Sequence, residues 1–222
     1  MQQAALSAIL FDLDGTLIDS IELILRSYEH TIAAHGKDAV DRDVILAKIG
    51  IPLWTHLGTF ADEPHEVEAM MATYREWNLA HHDEFVRPFA GIDRALCGFQ
   101  ERGMPMAIVT SKVSDTAWRG LRLCGLAEYF DILVGSDSVE RHKPDPTPVL
   151  AGCARLGVEP SVCGYVGDSV HDMVAARAAG TRAIGAGWGP FEHADLRAAG
   201  AEHLALKPED LVDMVAPRSA GH

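Results

Sequence analysis

The sequence predicts an α/β fold, an open and doubly wound parallel sheet with a helical segment inserted after its first strand. Three observations predict it. Short apolar, β-favouring runs recur along the chain and stop abruptly at polar residues, as buried parallel strands do. Segments with apolar residues at helical spacing lie between those runs, an alternation that argues for helices on both faces of a parallel sheet. Residues 18–87 carry helical patterns and nothing that reads as a strand.

In chain order, Leu6 to Phe11 is the first strand, and Asp12-Leu13-Asp14-Gly15-Thr16 follows at its carboxyl end. Asp19 or Ser20 can cap a helix whose apolar positions are Ile21, Ile24, Leu25, Tyr28 and Ile32. Glu22 and Arg26 add an i,i+4 pair with the acid first, the better orientation, and Gly36 ends the helix. A short helix is predicted over 41–49, a break at Gly50-Ile51-Pro52, and a third helix over about 63–81. Val67, Met70, Met71, Tyr74 and Trp77 share one face of that helix and read as core packing.

From Pro88 the strand–helix alternation resumes. A helix over Ile92–Arg102 stops at Gly103, and the strand Met106–Val109 ends in Thr110-Ser111-Lys112. A helix containing Trp118–Leu123 closes at Gly125, and Ile132–Val134 is the next strand. Pro146 suits the first turn of a helix that reaches Leu156 before Gly157. Val162–Val166 is a strand ending in Gly167-Asp168-Ser169, and an alanine-rich helix then runs to Ala179 with Gly180 at C′. Ala183-Ile184 is a last short strand, and the final six residues alone resemble low complexity. The expected organisation is a core domain of 1–17 and 88–222 with an inserted helical domain of 18–87.

Composition narrows the function class. The chain has 222 residues, 48% hydrophobic and 23% charged, the balance of a soluble globular protein. A formal charge of −13 argues against a non-specific nucleic-acid binder, although a bound metal and lysines can reverse the field locally. Cys97, Cys124, Cys153 and Cys163 form no C-x-x-C pair and sit in apolar surroundings, the pattern of reduced core cysteines. No basic leader and no membrane-spanning stretch is present, so a soluble cytoplasmic protein is expected.

Paired carboxylates at a strand tip repel unless a cation or a shared proton relieves them. Asp12 and Asp14 therefore suggest a divalent ion together with a nucleophile–acid pair. The other strands end in residues able to face the same site: Thr110, Ser111 and Lys112, then Lys143 in Arg141-His142-Lys143-Pro144, then Asp168 and Asp172. Ligands bind at the carboxyl ends of strands in open α/β sheets. Acids, lysines and a hydroxyl in this set suit a phosphate held by Mg²⁺, which prefers oxygen ligands including substrate phosphate. Ser111 and Ser169 are equally suited to local capping, and Lys112 equally to a solvated surface.

The sequence resembles the haloacid dehalogenase-like hydrolase superfamily over nearly its whole length. Asp12-Leu13-Asp14-Gly15-Thr16 is similar to the first motif, Thr110 to the second, Lys143-Pro144 to the third and Gly167-Asp168-x-x-x-Asp172 to the fourth, in order and each after a strand. The resemblance implies a Rossmann-like core with an α-helical cap. It implies that Asp12 attacks phosphorus to form an aspartyl-phosphate and that Asp14 protonates the leaving oxygen and then activates water. Thr110, Ser111 and Lys143 would hold the phosphoryl group. Asp12, the Asp14 carbonyl and Asp168 would ligate Mg²⁺, with Asp172 and Ser169 in support. Gly50-Ile51-Pro52-Leu53 resembles the cap's substrate-facing loop, so Gly50 and Pro52 are candidate specificity positions.

Tyr74–Asn78 and His81–Glu84 look like the pyrophosphatase branch, and Gly185–Gly189 fits both that branch and phosphoglycolate phosphatases. The substrate implied is a small phosphorylated metabolite: phosphoglycolate, pyrophosphate, or a sugar or specialised-metabolite phosphate. The carboxylate at Asp14 disfavours dehalogenation, and Lys37 and Lys48, the cap lysines, lack a Schiff-base context. A phosphomutase is the alternative enzyme, and a non-catalytic phosphate-binding module the alternative of another class. Adjacent His81 and His82 point in different directions on a helix and read as surface or hinge residues rather than metal ligands. Oligomeric state is not predicted.

Overall fold

The computed structural model describes residues 5–215; the low-complexity reading of the final six residues lies outside them. Strand β1 (Ala8–Phe11) sits inside a six-stranded parallel sheet. Its other strands are β4 (Met106–Val109), β5 (Leu133–Val134), β6 (Cys163–Gly167), β7 (Arg182–Ala186) and β8 (His203–Ala205), in the order β5-β4-β1-β6-β7-β8. The register pairs Phe11 with Ile108 on one side and with Val166 on the other. The chain winds outward from β1 in one direction and then in the other, which opens a crevice at the carboxyl ends beside β1.

The strands are buried on both faces, so their alternation divides two cores. Ile9, Phe11, Met106, Ile108 and Val166 pack into one cluster, against Leu96 and Phe99 of α5 (Ile92–Glu101) and Leu121 of α6 (Ser114–Leu123). Leu211 of α10 (Asp210–Val215) joins them. Ala8, Leu10, Ala107, Val109 and Tyr165 face the other way. They meet Val149 of α7 (Thr147–Leu156), Met173 of α8 (Val170–Ala179) and Leu196 of α9 (His193–Ala199). The doubly wound reading is thus correct.

Helices α1 (Ile21–Ala34), α2 (Arg42–Leu46), α3 (Leu53–Leu57) and α4 (Pro64–Phe85) gather Leu25, Tyr28, Ile32, Ile45, Leu57, Met70 and Tyr74 into a separate cluster. The Glu22–Arg26 pair forms, at 2.5 Å. Four expectations for this region are corrected. A strand pair does exist: β2 (Ile18–Asp19) runs antiparallel to β3 (Arg87–Pro88) at the two ends of the segment. The helix expected over 41–49 is shorter, and α3 forms straight after Pro52, whose fixed φ suits a helix start. The helix expected to close at residue 81 continues to Phe85. His82 is fully buried rather than a surface residue, and His81 stacks on Trp77 with ring centroids 4.0 Å apart. In the core, β8, α9 and α10 add to the predicted elements. Cys153 and Cys163 are buried as expected, whereas Cys97 and Cys124 are only half-buried.

Candidate active site

The predicted residues converge at the carboxyl ends of β1, β4 and β6. Asp12, directly after β1, is buried, and its backbone N–H donates to the Val166 carbonyl (2.8 Å). Asp168, directly after β6, is also buried and accepts from the Thr16 hydroxyl (2.7 Å). Asp172 stands in the first turn of α8, where Ser169 is the N-cap and the two form a capping box. Oxygens of Asp12, Asp168 and Asp172 lie within 4.8 Å of one another, the only such cluster of potential metal ligands among the described residues.

Lys143 is what makes this much buried negative charge tenable. Its Nζ donates to Asp172 Oδ1 (2.6 Å) and to the Tyr165 hydroxyl (3.1 Å), and stands 3.0 Å from Asp12 Oδ1. Burial alone would drive the lysine neutral, but the charges of Asp12 and Asp172 outweigh it and hold Lys143 above its ordinary range. Burial acts the other way on Asp172, and Lys143 together with Ser169 overcomes it, so that carboxyl is held below its usual value. Asp12 is pushed up to about 7, by burial first and by the charge of Asp172, against the pull of Lys143. Asp168 is raised well above its usual value by burial and by both neighbouring acids.

A divalent cation fits this donor set. Asp12 Oδ1 is buried and, despite the nearby ammonium, has no hydrogen bond. Both oxygens of Asp172 are already engaged, by Lys143 and Tyr165 on one and Ser169 on the other. Asp12 and Asp168 are therefore the carboxylates best placed to hold an ion. The space around Asp168 is kept by glycine. A Cβ on Gly15 (φ +84°) or on Gly189 would fall on the Asp168 side chain. Trp188 Nε1 fastens the glycine-bearing loop after β7 by donating to the Thr16 carbonyl (2.9 Å).

Asp14 is turned away from the acidic cluster. Its Oδ1 accepts from Ser20 Oγ (2.5 Å) and from Lys112 Nζ (2.7 Å). Ser20 occupies the N-cap position of α1 without capping it, because its hydroxyl serves Asp14 instead. A cavity of about 550 Å³ opens in front of these groups, lined on the core side by Asp12, Asp14, Thr110, Ser111 and Lys112. Lys143, Asp168 and Asp172 are buried behind it. From α4, Met71 and Tyr74 line the same cavity, so the face read as core packing is shared between core and cavity wall.

The Gly50 loop reaches the core, where its carbonyl accepts from Ser111 Oγ (2.5 Å). A Cβ on Gly50 (φ +103°) would stand 3.1 Å from Ser169 Oγ. Ser111 thus meets the inserted segment, and Ser169 is both cap and contact.

Lys112, which the sequence suits equally to the site or to a solvated surface, is in the site, whereas Ser20 and Tyr165 were not singled out as site residues by sequence. A signal existed for Tyr165: a phenol inside a buried strand must find polar partners. Its oxygen lies 2.9 Å from both the Val109 carbonyl and Asp172 Oδ1.

Comparison with known proteins agrees with this geometry. Residues 9–186 match the model of a family described as haloacid dehalogenase-like hydrolases. The chain is similar to the pyrophosphatase PpaX of Halalkalibacterium halodurans, 36% identical over 95% of this chain and 97% of that protein. It is similar also to the pyrophosphatase PpaX of Bacillus velezensis, 38% identical over 96% of this chain and 97% of that one. Among solved structures, a hydrolase from Pseudomonas syringae superposes with a TM-score of 0.87 at 25% identity, covering 95% of this chain and 100% of that one.

Proposed function

The chain belongs to the haloacid dehalogenase-like hydrolases, and from that premise we propose that it is a Mg²⁺-dependent phosphohydrolase acting on a small phosphorylated substrate through an aspartyl-phosphate on Asp12. One observation carries the reading: Asp12 is the carboxylate that both borders the acidic cluster and faces the cavity. Asp12 and Asp168, with the Asp14 carbonyl, would hold the ion. A bound divalent cation favours the ionised form of Asp12 and neutralises charge on the transferring phosphoryl group.

The remaining chemistry belongs to the chain's own residues. Asp12 attacks phosphorus as the bond to the leaving oxygen breaks, a known use of carboxylate nucleophiles. Asp14 supplies the proton to that oxygen, then takes one from the water that hydrolyses the aspartyl-phosphate. Thr110 faces the cavity and suits a phosphoryl oxygen, as Ser111 does once it releases Gly50. Lys143 keeps Asp12 oriented and offsets its charge. Residues 18–87 act as the cap that covers the substrate, and the Gly50–Pro52 loop touches it from above.

The PpaX relatives make pyrophosphate one candidate substrate. The test is Mg²⁺-dependent phosphate release from an aryl phosphate by wild type and by Asp12→Asn. Release is expected from the wild type and none above background from the variant; full activity in Asp12→Asn overturns the nucleophile assignment.

A further inference from the structure

Resting on the phosphohydrolase reading, we infer that the cavity above Asp12 selects an organic phosphate monoester whose alcohol carries an apolar body, in preference to pyrophosphate. The cavity floor is polar, whereas its upper walls combine a broad apolar surface with Lys48, Arg75 and Asn78. Ile24, Tyr28, Ile49, Ile51, Met71 and Tyr74 line it from the inserted segment. The apolar character continues to the surface. Of the eight large apolar side chains exposed among the described residues, three, Trp54 (58% exposed), Leu79 (44%) and Val113 (38%), line this one cavity. Exposed apolar side chains that converge on a cavity mark a ligand surface more than scattered ones do.

Cations decide between the two substrate classes. The terminal phosphoryl group of pyrophosphate, seated beyond the reacting one, would need fixed positive charge in exchange for its hydration. Lys112 lines the cavity but is paired with Asp14, and Lys143 is buried behind Asp12 between two acids. Arg75, Lys48 and the His142 imidazole remain. Arg75 is exposed, and Lys48 and His142 are half-buried, so water screens all three, and they suit the steering of an anion toward the floor more than the desolvated grip of a second phosphate. An apolar alcohol, by contrast, gains by leaving water against Met71, Tyr74 and Trp54. In the reaction the P–O bond to that alcohol breaks, water supplies the hydroxide that ends on phosphorus and the proton that ends on the alcohol, and the products are inorganic phosphate and the free alcohol.

The experiment measures kcat/KM with Mg²⁺ for benzyl phosphate, ethyl phosphate and pyrophosphate. The first two release alcohols of similar acidity and differ chiefly in apolar bulk. Benzyl phosphate is expected to exceed both others by about tenfold or more, the scale on which apolar pockets discriminate. Trp54→Ala, at an exposed position, and Leu79→Ser as a second variant are each expected to lower the benzyl-to-ethyl ratio by about threefold or more. Equal rates for the two esters, a lead for pyrophosphate, or a ratio unmoved in both variants overturns this inference and leaves the phosphohydrolase reading standing. No phosphate release from any of the three overturns both.

Discussion

Replacing Lys143 with methionine removes the cation that lies between Asp12 and Asp172 and leaves the volume nearly unchanged. The magnitude follows from the geometry. Unit charges 4 Å apart attract by roughly 4 kcal/mol at an effective dielectric near 20, and Lys143 Nζ is closer than that to both acids, at 3.0 and 2.6 Å. Desolvation of all three groups offsets part of the attraction. What the variant loses is the compensation of charges that stay buried, which costs about 3–5 kcal/mol.

Urea unfolding in EDTA, followed by circular dichroism with the slope checked for constancy, measures it. Adding Asp172→Asn to Lys143→Met removes one of the stranded charges and should restore about 1–3 kcal/mol. The sign with pH is fixed too. In the wild type the Asp172 carboxyl is held low, so its contribution is present above its unfolded pKa and is lost as pH falls through the folded one. Without Lys143, burial raises that pKa, so the variant's deficit is largest near neutrality and shrinks in acid. A cost below about 1 kcal/mol, or strict additivity in the double variant, refutes the reasoning.

Three other outcomes are expected. Gly15→Ala places a methyl group against Asp168 at a φ of +84°, so Mg²⁺ titration of phosphatase activity should show weaker binding, with stability lowered by more than about 1 kcal/mol. Asp14→Asn removes the group proposed to protonate the leaving oxygen; kcat should fall by about 10²-fold or more for ethyl phosphate and less for 4-nitrophenyl phosphate, whose leaving group needs no proton. His56 is buried against Tyr28 and Phe60, and burial, with the charge of Lys48, pushes its pKa down to about 4. Its folded pKa lies below the unfolded value, so stability is lost as pH falls from about 6.5 toward 4, on the order of 3 kcal/mol in all. His56→Phe should flatten that part of the urea-unfolding profile.

Legibility in the sequence followed the range of the interactions. Strands β1, β4 and β6 could be read because each is an uninterrupted buried run with a polar stop, and those stops held the acids, Thr110 and their neighbours. Strand β8 escaped because His203-Leu204-Ala205 is an edge strand of three residues whose first two are only half-buried. Helix α9 buries little besides Leu196, which leaves no periodic signal to find. The β2–β3 pair is tertiary: nothing in Ile18-Asp19 or Arg87-Pro88 announces a partner on the far side of the inserted segment. Lys112 could be read as a residue at the end of β4 able to face the site, but its pairing with Asp14 is tertiary and needs β4 beside β1.

That two-stranded ribbon has a consequence of its own. Asp19 and Arg87 are register partners, so the chain departs from the sheet and rejoins it at a single doorway. Seen from the sheet, everything between them is one loop whose ends are paired, and its length has no bearing on the strand order. Ser20 and Gly50 are tied to the site, because their contacts reach Asp14 and Ser111; a change elsewhere in that loop leaves the strand order that positions Asp12 and Asp168 as it is.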